Sequence, residues 1–182
     1  MDTQRLKQTD AWKREAQALI ARGQFQQAWL AYREICRVTP KNAEAWFVLG
    51  ALNGQLGRIS EAAECCQRAV ALKPDYTEAH YNLGQVYKRL DIPHKAETSF
   101  REAVRLKPDY AEAWDNLGYL LQERGQQDEA VRCYREALRL CPDFAGTRYL
   151  LAAQGEAQAP EQAPPEYGAG CSTITPTAST DI

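Results

Sequence analysis

Residues 77–110 read TEAHYNLGQVYKRLDIPHKAETSFREAVRLKPDY, and residues 111–144 follow the same pattern as AEAWDNLGYLLQERGQQDEAVRCYREALRLCPDF. The spacing continues towards the N-terminus, because prolines recur every 34 residues at positions 40, 74, 108 and 142, and alanines at positions 28, 62, 96 and 130. Trp12, Trp46 and Trp114 share one register, with His80 in the missing place. The sequence is therefore an internal repeat of four units.

The units resemble the tetratricopeptide repeat, which places Trp, Leu-Gly, Tyr, Ala, Phe and Pro at fixed offsets within about 34 residues. The first unit diverges most, with Glu15 and Ala16 in place of Leu-Gly. The third unit carries the pattern at Leu83, Gly84, Tyr87, Ala96, Phe100 and Pro108. The resemblance implies an all-α, right-handed superhelical solenoid of paired antiparallel helices, in which each pair buries its apolar face against its neighbours.

We expect four kinds of segment along the chain. They are an N-terminal extension at 1–8, repeats over 9–142 in units of 9–42, 43–76, 77–110 and 111–144, a capping helix at 145–157, and a disordered Pro/Ser/Thr-rich tail at 158–182. The predicted repeat helices span 9–21, 25–38, 43–55, 59–72, 77–89, 93–106, 111–123 and 127–140.

The repeat positions have physical roles that can be stated residue by residue. Gly50 and Gly118 let the second helix of a pair approach the first closely. Leu72 is expected to fill space between successive pairs, and His80 to replace tryptophan in the core. Asp91 stands where other units have the glycine that ends their first helix in a left-handed conformation.

The resemblance also implies which residues line the concave groove, since the first helix of each unit faces it. The expected peptide-binding residues are Lys13, Gln17, Phe47, Tyr81, Asn82, Gln85, Lys88, Arg89, Asp115, Asn116, Tyr119 and Gln122. Side-chain amides can bond a peptide backbone as donor and as acceptor, and aromatic rings offer contact area at low entropic cost. Such a groove suits an extended peptide.

Asn82 and Asn116 occupy equivalent positions and resemble the asparagine ladder by which some superhelical members hold a ligand backbone. Val48 and Arg14 interrupt that ladder in the first two units. The alternative is that both asparagines belong to the Asn-Leu-Gly pattern and are merely solvated. The groove does not resemble the carboxylate clamp of chaperone-binding members, because Glu78 and Asn82 stand where cationic side chains would grip a carboxylate.

Composition excludes several other functions. The chain has 22 Lys and Arg against 24 Asp and Glu, so we expect neither nucleic acid nor membrane as a partner. No phosphate-binding, zinc-protease or nucleophile-elbow motif occurs. The six cysteines show no CxxC pair and are read as free thiols, and only two histidines are present. We expect no catalytic residues, no metal, no cofactor and no small-molecule substrate.

The C-terminal segment changes composition, because no Lys or Arg follows Arg148. Residues 148–167 resemble the linker between repeats and a class I methyltransferase domain in bacterial fusions. Read out of frame, codons for residues 171–182 permit LFDHYADSFDRH, similar to the LFDxYAxxFDxHL pattern that follows that linker. One hypothesis is a frameshift near residues 167–170 that truncates such a fusion. The alternative is a natural disordered Ser/Thr-rich tail.

The predicted function is a noncatalytic protein–protein interaction module that binds a peptide or partner protein in the concave groove. One alternative is the substrate-docking fragment of an S-adenosylmethionine-dependent methyltransferase that has lost its catalytic domain. Another is an oligomerisation scaffold. No signal peptide or apolar span is evident, so the expected location is cytoplasmic.

Overall fold

The described part of the chain is built from antiparallel helix pairs. The computed structural model describes residues 3–153 and 155, and within them it contains helices and turns but no strand. The nine helices of this part are α1 (Thr3–Ala21), α2 (Phe25–Val38), α3 (Ala43–Gln55), α4 (Ile59–Leu72), α5 (Thr77–Arg89), α6 (Pro93–Leu106), α7 (Ala111–Glu123), α8 (Gln127–Leu140) and α9 (Ala145–Ala153). The predicted all-α class is confirmed.

Helices α2 to α8 begin and end at the predicted residues. The prediction for the first helix was wrong at its start: α1 begins at Thr3, so residues 3–8 continue the helix where we expected an extension. The capping helix ends at Ala153 instead of residue 157, and Gly155 follows in a left-handed conformation with φ +78°. The predicted tail at 158–182 lies outside the described residues.

The chain forms two compact units that divide after Leu90. The first contains α1 to α5, and its core joins Tyr32, Ile35 and Leu52 with small residues of α1 to α5. The second contains α6 to α9, and its largest fully buried side chains are Tyr134 and Phe100, followed by Leu117 and Leu121. Each unit therefore has an apolar interior of its own.

Two glycines determine how closely the helices of a pair approach. A Cβ atom added at Gly118 would lie 2.7 Å from the Tyr134 ring and 3.2 Å from Cys133 Cβ. One added at Gly50 would lie 2.8 Å from Cys66 Sγ. Real Cβ atoms do not come this close to other heavy atoms, so only glycine permits α3 to pack on α4, and α7 on α8, at these distances.

The turns within the pairs need a left-handed residue. Gly57 and Gly125 both have φ +75°, a conformation that costs other L-residues ~1–2 kcal/mol. Asp91 takes the same role with φ 56°, as predicted, since a short polar side chain tolerates this region. Pro93 then occupies the first turn of α6, where its missing N–H removes no helical hydrogen bond.

The tryptophan register anchors the turn that precedes each first helix. Trp46 Nε1 donates to the Pro40 carbonyl, and Trp114 Nε1 donates to the Pro108 carbonyl, both at 2.9 Å. His80 Nε2 lies 2.9 Å from the Pro74 carbonyl oxygen, which can only accept, so Nε2 carries the proton. His80 is half-buried, and the prediction of a core role was wrong: it replaces tryptophan as the donor to this turn.

Leu72 also departs from its predicted role. Its side chain is 40% exposed, although we expected it to fill the space between helix pairs. Leu72 is the last residue of α4, where the helix ends ahead of the Pro74 turn. The end of the helix therefore leaves it at the surface.

We expect Gly118→Ala to lower the free energy of unfolding by about 1–3 kcal/mol, because overpacking against Tyr134 exceeds the helix-propensity gain of about 1 kcal/mol. Thermal and urea denaturation measure the change. In a Tyr134→Ala background the cost should shrink, since the ring that the new methyl group meets is gone. An equal cost in both backgrounds would show that close packing is not its source.

Candidate functional site

One face of α5 brings together three of the predicted binding residues. Gln85 Nε2 donates to the Tyr81 hydroxyl at 2.9 Å, as the four-residue spacing on a helix allows. Asn82 lies beside them and is only 4% exposed. Its Nδ2 atom is the one buried side-chain nitrogen or oxygen without a hydrogen-bond partner among the described residues. This face therefore holds an unused donor.

An unpaired buried amide is costly, at about 1–3 kcal/mol. Asn53, which is as deeply buried, shows the usual solution: its Oδ1 accepts from Trp29 Nε1 at 2.8 Å, and its Nδ2 lies 3.5 Å from Cys65 Sγ. Asn82 Nδ2 has no comparable partner among the described residues.

Two basic residues, Lys88 and Arg89, lie in the last turn of α5. Arg89 Nη1 donates to the Gly54 carbonyl near the end of α3 at 3.2 Å, and Lys88 is half-buried beside it. Cations in the last turn interact favourably with the negative end of the helix dipole. They give this end of the face a positive charge.

The predicted residues of α1 and α3 have different surroundings. Lys13 Nζ forms a 2.7 Å ion pair with Glu44, and Gln17 is exposed. Phe47 is 4% exposed, and its ring centroid lies 5.0 Å from that of Tyr76 in a tilted arrangement. Phe47 therefore packs in the interior of the first unit, and sequence reasoning missed its partner Tyr76.

In the second unit, the predicted residues of α7 are tied by hydrogen bonds within that unit. Asp115 accepts from Thr147 of α9 at 2.5 Å, and Asn116 Nδ2 donates to the Glu112 carbonyl at 2.8 Å. Tyr119 donates to Glu123 at 3.0 Å, and Gln122 accepts from Tyr134 at 2.9 Å. Burial, and then the bond to Glu123, raise the pKa of Tyr119. Asn116 thus differs from its equivalent Asn82 in having its donor satisfied.

Ion pairs join the second helices of this unit, α6 and α8, to each other and to the turn between α7 and α8. Arg101 joins Glu97 at 2.8 Å and Glu129 at 2.6 Å, and Arg124 also pairs with Glu97. Together with Trp114, residues of α6 and α8 line a groove of about 680 Å³. No single repeat signal in the sequence indicates this groove, because its lining comes from three helices.

The cysteines are poorly suited to nucleophilic chemistry. Burial raises the pKa of Cys66 from 9.0 to about 12, and that of Cys65 to about 11. Burial likewise raises the pKa of Cys36 to about 12 and of Cys133 to about 11. These thiols stay protonated near neutral pH, whereas the thiolate is the reactive form. Within the described residues, no three His, Cys, Asp or Glu side chains are arranged to hold a metal ion.

Among the helices in residues 3–153, none is both long and apolar enough to cross a bilayer.

The paired antiparallel helices and their 34-residue register define a tetratricopeptide repeat protein. Residues 3–146 match the tetratricopeptide domain of cytochrome c-type biogenesis protein H. The chain belongs to this family.

Solved structures share the fold. A crystal structure of MamA is 25% identical in sequence with a TM-score of 0.73, covering 78% of this chain and 85% of that one. MamA from Desulfovibrio magneticus RS-1 is 19% identical, with a TM-score of 0.75 and coverage of 81% and 86%. YrrB, described as a tetratricopeptide protein with an unusual peptide-binding site, is 21% identical, with a TM-score of 0.70 and coverage of 80% and 77%. No curated protein matches the sequence significantly.

The thiol environment predicts sensitivity to alkaline pH. Since the folded pKa of Cys66 lies above that of the unfolded chain, the stability it provides is complete below pH 9.0 and is lost as the pH rises towards 12. Each pH unit in this window costs about 1.4 kcal/mol for a fully shifted thiol. Urea denaturation at pH 8 and pH 10 should show a smaller pH effect in Cys66→Ala than in the wild type. An identical pH effect would contradict the assignment.

Proposed function

We propose that this protein is a noncatalytic binding module that holds a peptide or a segment of a partner protein. The ligand lies against the first-helix faces, which are the faces of α5 and α7 that carry Asn82 and Asn116. The observation that carries the proposal is the buried, unpaired Nδ2 of Asn82 on α5. A donor kept at a cost in stability is typical of a site whose function requires it.

The contacts of α5 suggest how a ligand is held. Asn82 Nδ2 is buried in the free protein, so it donates to a backbone carbonyl of the peptide only after its side chain turns towards the ligand; the linked Tyr81 and Gln85 side chains border the same position. Lys88 and Arg89 favour an acidic group near the end of the helix. In the second unit, Asn116 lies at the equivalent repeat position, and its Nδ2 donates to the Glu112 carbonyl of its own helix.

Two further observations support a binding role. YrrB, with the same fold, is described as having a peptide-binding site. The matched family is named for cytochrome c-type biogenesis, which makes a protein of that process a reasonable class of partner to test. Absence of catalysis, of nucleic-acid, membrane and small-molecule partners, and a cytoplasmic location remain predictions from the sequence.

The methyltransferase hypothesis rests on residues 148–167 and on the shifted reading of the tail, which lie largely outside the described residues. Neither the family match nor the similar structures support it. It stays a prediction, which calorimetric titration with S-adenosylmethionine addresses for the chain itself: we expect no binding heat.

The stability of two asparagine variants tests whether Asn82 is unpaired. Asn82→Leu should keep or raise the melting temperature, because an unsatisfied buried amide is replaced by an apolar group of similar size. Asn53→Leu, the matched control, should lower the free energy of unfolding by about 1–3 kcal/mol, because it leaves Trp29 Nε1 without its acceptor. An equal decrease in the free energy of unfolding of the two variants would mean that the Asn82 amide stabilises the fold.

Binding is tested without knowledge of the natural ligand. A displayed random-peptide library is selected on the wild-type protein, and each enriched peptide is measured on the double variant Asn82→Ala and Asn116→Ala. We expect affinities to fall about tenfold, or ~1.4 kcal/mol, with little change in melting temperature. Peptides that bind the double variant with undiminished affinity would place the interface elsewhere.

A further inference from the structure

The groove of the second unit has an apolar floor and charged walls. Its walls carry four arginines and two glutamates from α6 and α8, and its volume of about 680 Å³ is within the range of ligand sites, roughly 300–1,000 Å³. Three of the lining side chains, Val104, Leu117 and Cys133, are buried, and Trp114 is half-buried. The lining residues are Arg101, Val104, Arg105, Trp114, Leu117, Glu129, Arg132, Cys133, Arg135 and Glu136.

Among the described residues, the Trp114 ring in this groove lacks the cover that its equivalent in the second repeat has. Trp46 and Trp114 are equivalent in the repeat and donate to equivalent proline carbonyls at the same 2.9 Å. The guanidinium of Arg68 lies 4.7 Å from the Trp46 ring centroid and covers it. The residue equivalent to Arg68 in the fourth repeat is Glu136, which instead pairs with Arg139 at 2.8 Å. In the described residues, no cation covers the Trp114 ring.

Some of the arginines in the groove walls form ion pairs, and Arg132 forms none within the described residues. Arg101 pairs with Glu97 and Glu129, and Arg105 pairs with Glu102. Arg132 is exposed and makes no ion pair with any residue that the structure describes. Two of the four lining guanidinium groups are thus ion-paired, and Arg132 leaves a positive charge on the rim although the chain has a net charge of -2.

We propose that this groove docks an acidic peptide segment of a partner protein, separately from the first-helix faces. An apolar side chain of the segment packs on the uncovered Trp114 ring, in the place that Arg68 takes over Trp46. A neighbouring carboxylate of the segment pairs with Arg132. An apolar anchor surrounded by charge complementarity is the usual composition of such an interface.

The full-length protein is titrated into fluorescein-labelled peptides at low salt, and anisotropy is measured. The acidic probe is Glu-Glu-Leu-Glu-Glu-Leu-Glu-Glu, and the matched probes carry Gln or Lys in place of every Glu. We expect the acidic probe to bind at least about fivefold more tightly than the Gln probe, and the Lys probe to bind more weakly still. Equal binding of the acidic and Lys probes, or failure of the acidic probe to bind, overturns the proposal.

Two variants at position 136 test the role of the Trp114 ring, with Arg68 over Trp46 as the precedent within the same chain. Glu136→Arg should cover Trp114 as Arg68 covers Trp46 and weaken the acidic probe at least about tenfold, although it adds a positive charge that would by itself favour binding. Glu136→Gln leaves the ring uncovered and should bind as tightly as the wild type or more tightly. Equal affinities of the two variants overturn the role of Trp114.

Arg132→Glu provides an independent variant, because this side chain is exposed and its replacement should not disturb the fold. It should weaken the acidic probe about tenfold, since a rim attraction becomes a repulsion. The double variant Asn82→Ala and Asn116→Ala should bind the acidic probe like the wild type, which separates this groove from the proposed first-helix site. Loss of acidic-probe binding in that double variant assigns the probe to the first-helix faces and overturns the proposal.

A second copy of the chain is the competing occupant. Analytical ultracentrifugation of the wild type and Glu136→Arg distinguishes it. We expect the same molar mass for both proteins. A wild-type dimer that Glu136→Arg dissociates would make the groove a self-association surface and overturn docking of a partner peptide.

Discussion

The close approach of paired helices at glycine is the constraint on which the rest of the structure depends. At Gly50 and Gly118 the facing helix comes within a distance that leaves no room for a Cβ atom. Larger residues on the partner helix, such as Tyr134, then fill the interior around that contact. The pairs retain this geometry because a left-handed residue turns the chain between their helices and a side-chain donor fixes the turn that precedes the first helix.

Because the glycine contacts and the turns determine the scaffold, other positions are free to differ between repeats. Asn82 and Asn116 occupy one register, yet the amide of Asn116 is bonded to its own helix and that of Asn82 has no partner. Arg68 and Glu136 also share a register, yet only Arg68 covers a tryptophan. Function in such a protein therefore depends on where equivalent positions diverge, since the fold specifies a surface more firmly than it specifies a ligand.

The sequence predicted the helices well where the repeat signals were complete. Seven helices match to the residue because glycine, proline and alanine mark their ends and contacts at a fixed spacing. The start of α1 was missed because residues 3–8 precede the repeat register and carry no breaker. The prediction for Leu72 was wrong because the apolar period indicates only the face of the helix on which a residue lies. Leu72 is on the apolar face, but the helix ends there and the side chain stays exposed.

The site was less predictable because it depends on contacts between residues distant in sequence. Resemblance placed Tyr81, Asn82 and Gln85 on one face, but whether an amide finds a partner depends on the surrounding helices. The burial of Phe47 against Tyr76 was missed for the same reason. The sequence does contain one sign of the second-unit groove, because Glu136 stands where the second repeat has Arg68. That difference could be interpreted only once the structure showed where the Trp114 ring lies.

NMR of the Asn82 side-chain amide measures whether its donor is unused in the free protein and is bonded when a peptide is present. In 15N-labelled protein, the Nδ2 protons of Asn82 should resonate upfield of those of the bonded Asn116, because a hydrogen bond moves amide protons downfield. Saturation with a peptide selected for binding to the first-helix faces should move the Asn82 signal downfield. An Asn82 signal that is already downfield in the free protein, or that does not move when the peptide is bound, would contradict the account.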